Sequence, residues 1–224
     1  MTSKCRNACR SCGRRAVGLR PVVLTALVFL IATAAGAADV TDPRKLVDDT
    51  IETLRERVIR EETRILRDPG HAIGIMQEII APHIDVQLAG RLVLGRHWAG
   101  ASTAQREAFI DALRHLLLRI FALHVSTYTD AEVSFGPTVY TGRQQQRARV
   151  RTEVSRGGSP TVTVDYRLRR NDNAWKVYDV AIFGISIVKT YHLTIDADVR
   201  KHGLDGVIDQ INAMSPIDRF GPAQ

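Results

Sequence analysis

A long stretch of strict alternation between residues 148 and 182 constrains this chain more than any other feature. Ala148, Val150, Thr152 and Val154 share one parity, and Arg149, Arg151 and Glu153 share the other. Beyond Gly157-Gly158-Ser159-Pro160, the residues Val162, Val164, Tyr166 and Leu168 alternate with Thr163, Asp165, Arg167 and Arg169. Asn171-Asp172-Asn173 marks a second turn, and Trp175 to Ile182 reads as a further strand. Successive side chains of a strand point to opposite sides, so these runs fold as an antiparallel meander with one apolar and one polar face. The apolar face has to be covered by another layer.

Residues 38–128 supply helices for that layer. Pro43 suits the first turn of a helix, with Thr41 as its expected cap. Val47, Ile51, Leu54 and Val58 then make one apolar stripe at helical spacing. Asp68-Pro69 opens another helix, and a short one is expected over Val86 to Leu94. Ser102 and Gln105 form a capping box. The helix behind them carries Phe109, Leu113, Leu116, Leu117, Ile120 and Phe121. So wide an apolar sector predicts burial on more than one side. Helix returns from about residue 185. Helices before and after a meander indicate one α+β domain, and residues 214–224 are expected to form a flexible tail.

The N-terminus belongs to a different argument. Residues 1–21 hold Lys4, Arg6, Arg10, Arg14, Arg15 and Arg20 with no acid, and an apolar run from Val22 to Gly36 follows. Ala35-Gly36-Ala37 fits an A-x-A cleavage pattern, so residues 1–37 read as a cleaved signal peptide. The apolar run is shorter than the roughly 20 residues that span a bilayer. The whole chain is formally +7 from 31 basic and 24 acidic residues. Without the six basic residues of the signal, 25 stand against 24 acids, a net of +1. That balance argues against nucleic-acid binding. Cys5, Cys9 and Cys12 all lie in the signal, so the mature chain is expected to have no disulfide, thiolate nucleophile or cysteine-held metal.

Catalytic signatures are sparse. Gly184-Ile185-Ser186-Ile187-Val188 lacks the second glycine of a nucleophile elbow, which leaves Ser186 the role of helix cap. None of the seven histidines forms a zinc-binding H-E-x-x-H or an i, i+4 pair. Asp111 and His115 read as a surface pair. Arg149, Arg151, Arg167 and Arg169 share the polar sheet face. They form either a solvated surface paired with Glu153 and Asp165 or a docking surface for an acidic partner or lipid headgroups.

Three segments together resemble the MlaC/toluene-tolerance family of periplasmic phospholipid-binding proteins. The first is Ala89-Gly-Arg-Leu-Val-Leu-Gly-Arg-His-Trp98 running into Ser102-Thr-Ala-Gln-Arg-Glu-Ala-Phe109. The second is Asp165-Tyr-Arg-Leu-Arg-Arg170 with Trp175-Lys-Val-Tyr-Asp-Val-Ala-Ile182 and Gly184 to Val188. The third is Lys201-His-Gly-Leu-Asp-Gly-Val-Ile208. The likeness spans roughly residues 38–213, with Phe183 standing where the family usually has Glu.

The resemblance implies helices packed on a curved antiparallel β-sheet enclosing a deep apolar lipid cavity. It also implies a non-enzymatic periplasmic carrier, free of cofactor or metal, that passes phospholipid between two partners. One is the MCE-type subunit of an inner-membrane ABC transporter; the other is an outer-membrane lipoprotein–porin complex. Placing the helix of residues 102–128 across the sheet makes Leu113, Leu117, Phe121, Val150, Val164 and Tyr166 the expected tail-binding residues. Two other readings stay open: a periplasmic enzyme on the same kind of fold using Tyr166 and Asp179, and an adaptor with a filled core.

Overall fold

The computed structural model describes residues 42–124, 129–171 and 174–214, all within a compact unit that spans Ala38–Gln224. The helices are α1 (Pro43–Arg60), α2 (Glu62–Arg67), α3 (Pro69–Ile79), α4 (Val86–Leu94), α5 (His97–Gly100) and α6 (Thr103–His124). The strands follow as β1 (Glu132–Phe135), β2 (Val139–Thr141), β3 (Arg147–Ser155), β4 (Val162–Asn171), β5 (Ala174–Ile182) and β6 (Ile185–Ser186), before α7 (Ile187–Ala213).

Most helix starts have a local cause. Asp42 caps α1 by accepting from the Arg44 amide at 2.9 Å, so the cap is one residue later than Thr41, which lies outside the described residues. Asp68 accepts from Gly70 at 3.0 Å and Asp85 from Leu88 at 3.0 Å. The capping box forms in both directions, at 3.0 Å from the Ser102 amide to Gln105 and 3.2 Å from the Gln105 amide to Ser102. Ser186 accepts from the Lys189 amide at 3.0 Å and starts α7. Each cap is worth about 1 kcal/mol. Gly95 takes a positive φ of 52°, and a Cβ there would collide with the His192 ring. Its absence lets α4 and α7 close up, with His192 Nδ1 donating to the Val93 carbonyl at 2.9 Å.

The six strands form one antiparallel sheet in the order β1-β3-β4-β5-β6, with β2 also pairing β3. Val150 lies opposite Tyr166, Thr152 opposite Val164, and Val164 opposite Ile182. Between β4 and β5 the register shifts, so Arg167 faces Asp179 while Leu168 faces Val177. The unmatched Tyr178 is a bulge, which bends the strand and strengthens the twist. Ile84 bridges to Val177 and the Asp85 amide donates to the Val177 carbonyl at 2.8 Å, closing part of the β5 edge.

The core falls into three clusters. Leu94, Phe109, Leu113, Ile195 and Ile211 join α4, α6 and α7. Val58, Ile75, Met76 and Leu118 join α1, α3 and α6. Leu46 and Val47 of α1 close over Val150, Leu168 and Trp175 of the sheet. The helix that lies on the inner face of the sheet is therefore α1, while α4 and α7 also touch β5 and α6 packs against α3, α4 and α7. The wide apolar sector of α6 suits contact with several helices, whereas α1 needs only a narrow stripe, its N-terminal half toward the sheet and Val58 toward the helices.

Candidate functional site

Residues of one parity share a face, and their rows can be followed across the sheet. Phe135, Thr152, Val164 and Ile182 form one row, and Val133, Val154 and Val162 form the next toward the β3–β4 turn. At the opposite end the same face is sealed under α1: Ala148, Val150, Leu168 and Trp175 are all buried. The outer rows are only partly sealed, Thr152 being fully buried. Val154, Val162 and Val164 are half-buried, and Ile182 is 40% exposed. The apolar face thus runs on past the stretch that α1 seals.

Two hydroxyls sit at the boundary between sealed and open rows. Thr152 is 0% exposed, and its Oγ1 makes no hydrogen bond of normal geometry. Tyr166 is diagonal to it on the same face. Burial raises the Tyr166 phenol above the usual tyrosine range, and the nearby Thr152 hydroxyl works in the other direction.

The six expected tail-binding residues do not meet in one wall. Val150, Val164 and Tyr166 share the inner sheet face. Leu113 is buried among α4 and α7, and Leu117 packs half-buried against the same cluster. Phe121 packs half-buried against α1 and α3. Leu117 also lines a gap with Ala81, Ile84, Val86, Arg114 and Leu118 that measures ≈ 10 Å³, about one water's worth of space. Phe135, Val133 and Ile182 share this face as well, and the sequence patterning does not single them out. Val154 and Val162 were visible in the alternation but not singled out.

The outer face of the same strands is polar and paired. Arg151 binds Asp165 through two hydrogen bonds of 2.8 and 2.9 Å. Arg167 binds Asp179 at 2.7 Å, and Arg169 reaches Asp85 at 2.6 Å. All three carboxylates are buried. The Arg151 hydrogen bond, more than its charge, holds the Asp165 carboxyl below the usual range against the opposing effect of burial. Asp165 is thus the partner the alternation suggested, while Glu153 enters no ion pair among the described residues.

These placements remove the catalytic alternatives. Tyr166 faces inward and Asp179 outward, so the two stand on opposite sides of one sheet. Asp179 is further engaged by the Ser186 hydroxyl at 2.7 Å and the Val188 amide at 3.1 Å. Ser186 is 8% exposed and acts as a cap. Asp111 pairs with Arg114 at 2.7 Å rather than with His115. Among the described residues no group of three metal-ligating side chains converges, and no helix is long and apolar enough to cross a membrane.

Comparison with known proteins adds three findings. Residues 45–213 match the family model described as MlaC protein. The intermembrane phospholipid transport system binding protein MlaC of Haemophilus influenzae is 25% identical over 200 residues, covering 87% of this chain and 91% of that protein. A phospholipid-binding protein from Ralstonia solanacearum, solved in complex with a phospholipid, superposes with a TM-score of 0.70 at 22% identity, over 76% of this chain and 95% of that one. The last is a likeness of fold.

Proposed function

The chain belongs to the MlaC protein family, and from that membership we propose that it carries phospholipid through the periplasm with the acyl tails against the inner face of its sheet. The observation that carries this reading is the apolar face that continues from the sealed row at Val150 to the open rows at Val164 and Val162. A self-sufficient core would end where its cover ends. The names of the Haemophilus and Ralstonia relatives supply the ligand class.

Physical need points the same way. The two tails of a phospholipid hold about 30 methylenes, each worth roughly 0.8 kcal/mol when kept from water. A carrier answers that need with apolar surface alone and without a catalytic group. The ≈ 10 Å³ gap beside Leu117 has to widen greatly to admit tails, toward a volume on the order of 1,000 Å³. Leu113, Leu117 and Phe121 then line the helical side of the opened space, opposite Val150, Val164 and Tyr166.

In this reading residues 1–37 direct export and are removed. The carrier exchanges lipid with an MCE-type subunit of an inner-membrane ABC transporter and with an outer-membrane lipoprotein–porin complex. Native mass spectrometry of protein purified from the periplasm tests the proposal. The expected result is a chain starting at Ala38 with about one phospholipid bound, and a lipid-free protein from lipid-replete cells would refute it.

A further inference from the structure

A second surface combines charge with apolar exposure in a way that cargo binding does not require. α1 ends at Arg60, Glu61 departs from helical geometry at φ −108° and ψ 12°, and α2 begins at Glu62. Around this corner lies an open concavity of ≈ 490 Å³ lined by Arg60, Glu61, Thr63, Arg64 and Arg67. Its one acid is already engaged, because Glu61 binds both Arg57 and His71. The His71 hydrogen bond is the main reason its carboxyl titrates below the usual range. Arg60, Arg64 and Arg67 enter no ion pair among the described residues.

Cations near a helix C-terminus are favoured by the helix dipole, and that accounts for arginines at the ends of α1 and α2. It does not account for their neighbours. Leu66 is 74% exposed and Ile59 is 55% exposed. Glu62 is the one acid of α2, against Arg64 and Arg67 in the same helix and Arg60 just before it. Unpaired arginines beside bare aliphatic side chains are the combination that settles on an anionic lipid surface, with charge at the phosphates and apolar groups at the acyl boundary.

We propose that the α1–α2 corner docks the protein onto an anionic phospholipid bilayer. Arg60, Arg64 and Arg67 meet headgroup phosphates, for which the guanidinium fork is well matched, and Leu66 and Ile59 enter the interfacial layer. The corner is separate from the inner sheet face, so docking does not depend on whether a cargo lipid is bound.

Vesicle flotation of periplasmically purified protein tests this at low ionic strength. One set of vesicles is pure phosphatidylcholine and the other an equimolar mixture with phosphatidylglycerol. Wild type is expected to float with the mixed vesicles, to ignore the neutral ones and to be released by salt. Arg60→Ala, Arg64→Ala and Arg67→Ala together are expected to weaken partitioning on the order of 100-fold, at about five-fold per arginine. Leu66→Ser is expected to weaken it several-fold. Thr63→Glu places an acid in the groove with every arginine kept, and gives the same loss by an independent route. Melting temperatures should fall only slightly, by no more than loss of the helix-dipole contacts entails, since these side chains are exposed. Wild type that binds neither vesicle or both alike overturns the proposal and leaves the groove to a protein partner. Full binding by the triple variant, by Thr63→Glu or by Leu66→Ser overturns it as well. Bound cargo is not the readout, so failure here leaves the carrier reading untouched.

Discussion

On the outer face of the sheet, Asp85, Asp165 and Asp179 lie buried beneath the guanidinium groups of Arg169, Arg151 and Arg167. One residue away on the inner face, Thr152 is more deeply buried still, and its hydroxyl lies near the Tyr166 phenol without a hydrogen bond of normal geometry. Cross-strand neighbours on the outer face include Arg149 with Arg167 and Arg147 with Arg169, pairs that repel unless something between them is negative. Buried carboxylates from β4, β5 and the start of α4 supply that charge and tie β3, β4, β5, α4 and α7 together. Among the described residues the inner face has no such ion-pair network, and its outer rows are only partly covered, with Val154, Val162 and Val164 half-buried and Ile182 exposed. Alternate residues of the same strands therefore make a frame on one side and a receptive apolar surface on the other. An apolar ligand can occupy the second without disturbing the first.

The largest effect should come from the frame. Asp179→Ala strips an acceptor from Arg167, Ser186 and the Val188 amide. We expect it to destabilise the fold by about 2–4 kcal/mol in urea unfolding, near the range for breaking a buried pair because Arg167 stays partly hydrated. The molecules that remain folded should bind lipid normally. A small stability loss with a large lipid loss would reverse the roles assigned to the two faces.

Two tryptophan substitutions on the inner face come next. Val150 is 0% exposed, so Val150→Trp should overpack and cost about 1–3 kcal/mol. Val164 lies two positions along the paired strand and is half-buried. Val164→Trp should leave the melting temperature of delipidated protein almost unchanged while lowering bound phospholipid per protein. Equal destabilisation by both would mean that the open rows are ordinary core.

A smaller effect concerns pH. The Asp165 carboxyl titrates lower in the folded chain than in the unfolded one because Arg151 binds its charged form. Its contribution is therefore complete above the unfolded carboxylate pKa of about 4, and fades as pH falls through the lower folded value. Arg151→Met should lower stability at neutral pH, where it leaves the buried Asp165 carboxylate without its partner, and should flatten the fall in stability below pH ~4. Retained acid sensitivity in the variant would assign it to another group. The smallest change is Thr152→Val, which removes a hydroxyl that lies beside the Tyr166 phenol without a hydrogen bond of normal geometry. Stability should stay level or rise by up to about 1 kcal/mol, whereas a clear loss would show that Thr152 holds Tyr166 in place.

Much of this contrast was legible in the sequence because it depends on parity. Arg149, Arg151, Arg167 and Arg169 fall on one side and Val150, Val164 and Tyr166 on the other by counting alone. Local hydrogen bonds were equally readable, as at Asp68, Ser102 with Gln105, and Ser186. Contacts between distant segments were not. Arg169 is held by Asp85, 84 residues earlier, and no local pattern joins them. The choice of α1 over α6 as cover for the sheet was hidden for a similar reason: both helices are apolar enough, and only the packing of α6 among three other helices decides it. That misplacement split Leu113, Leu117 and Phe121 from the sheet residues. Phe135 escaped because β1 has only four residues, too few to show a period.

The central claim is that lipid tails lie on the inner face and not on the outer one. It is tested most directly by placing a benzophenone photo-crosslinking side chain at position 164 and, in a second protein, at position 149. Both proteins are irradiated in cells and analysed by intact mass. The account predicts a phospholipid adduct on the chain labelled at Val164 and none on the chain labelled at Arg149. Adducts of equal yield at the two positions, or at Arg149 alone, would contradict it.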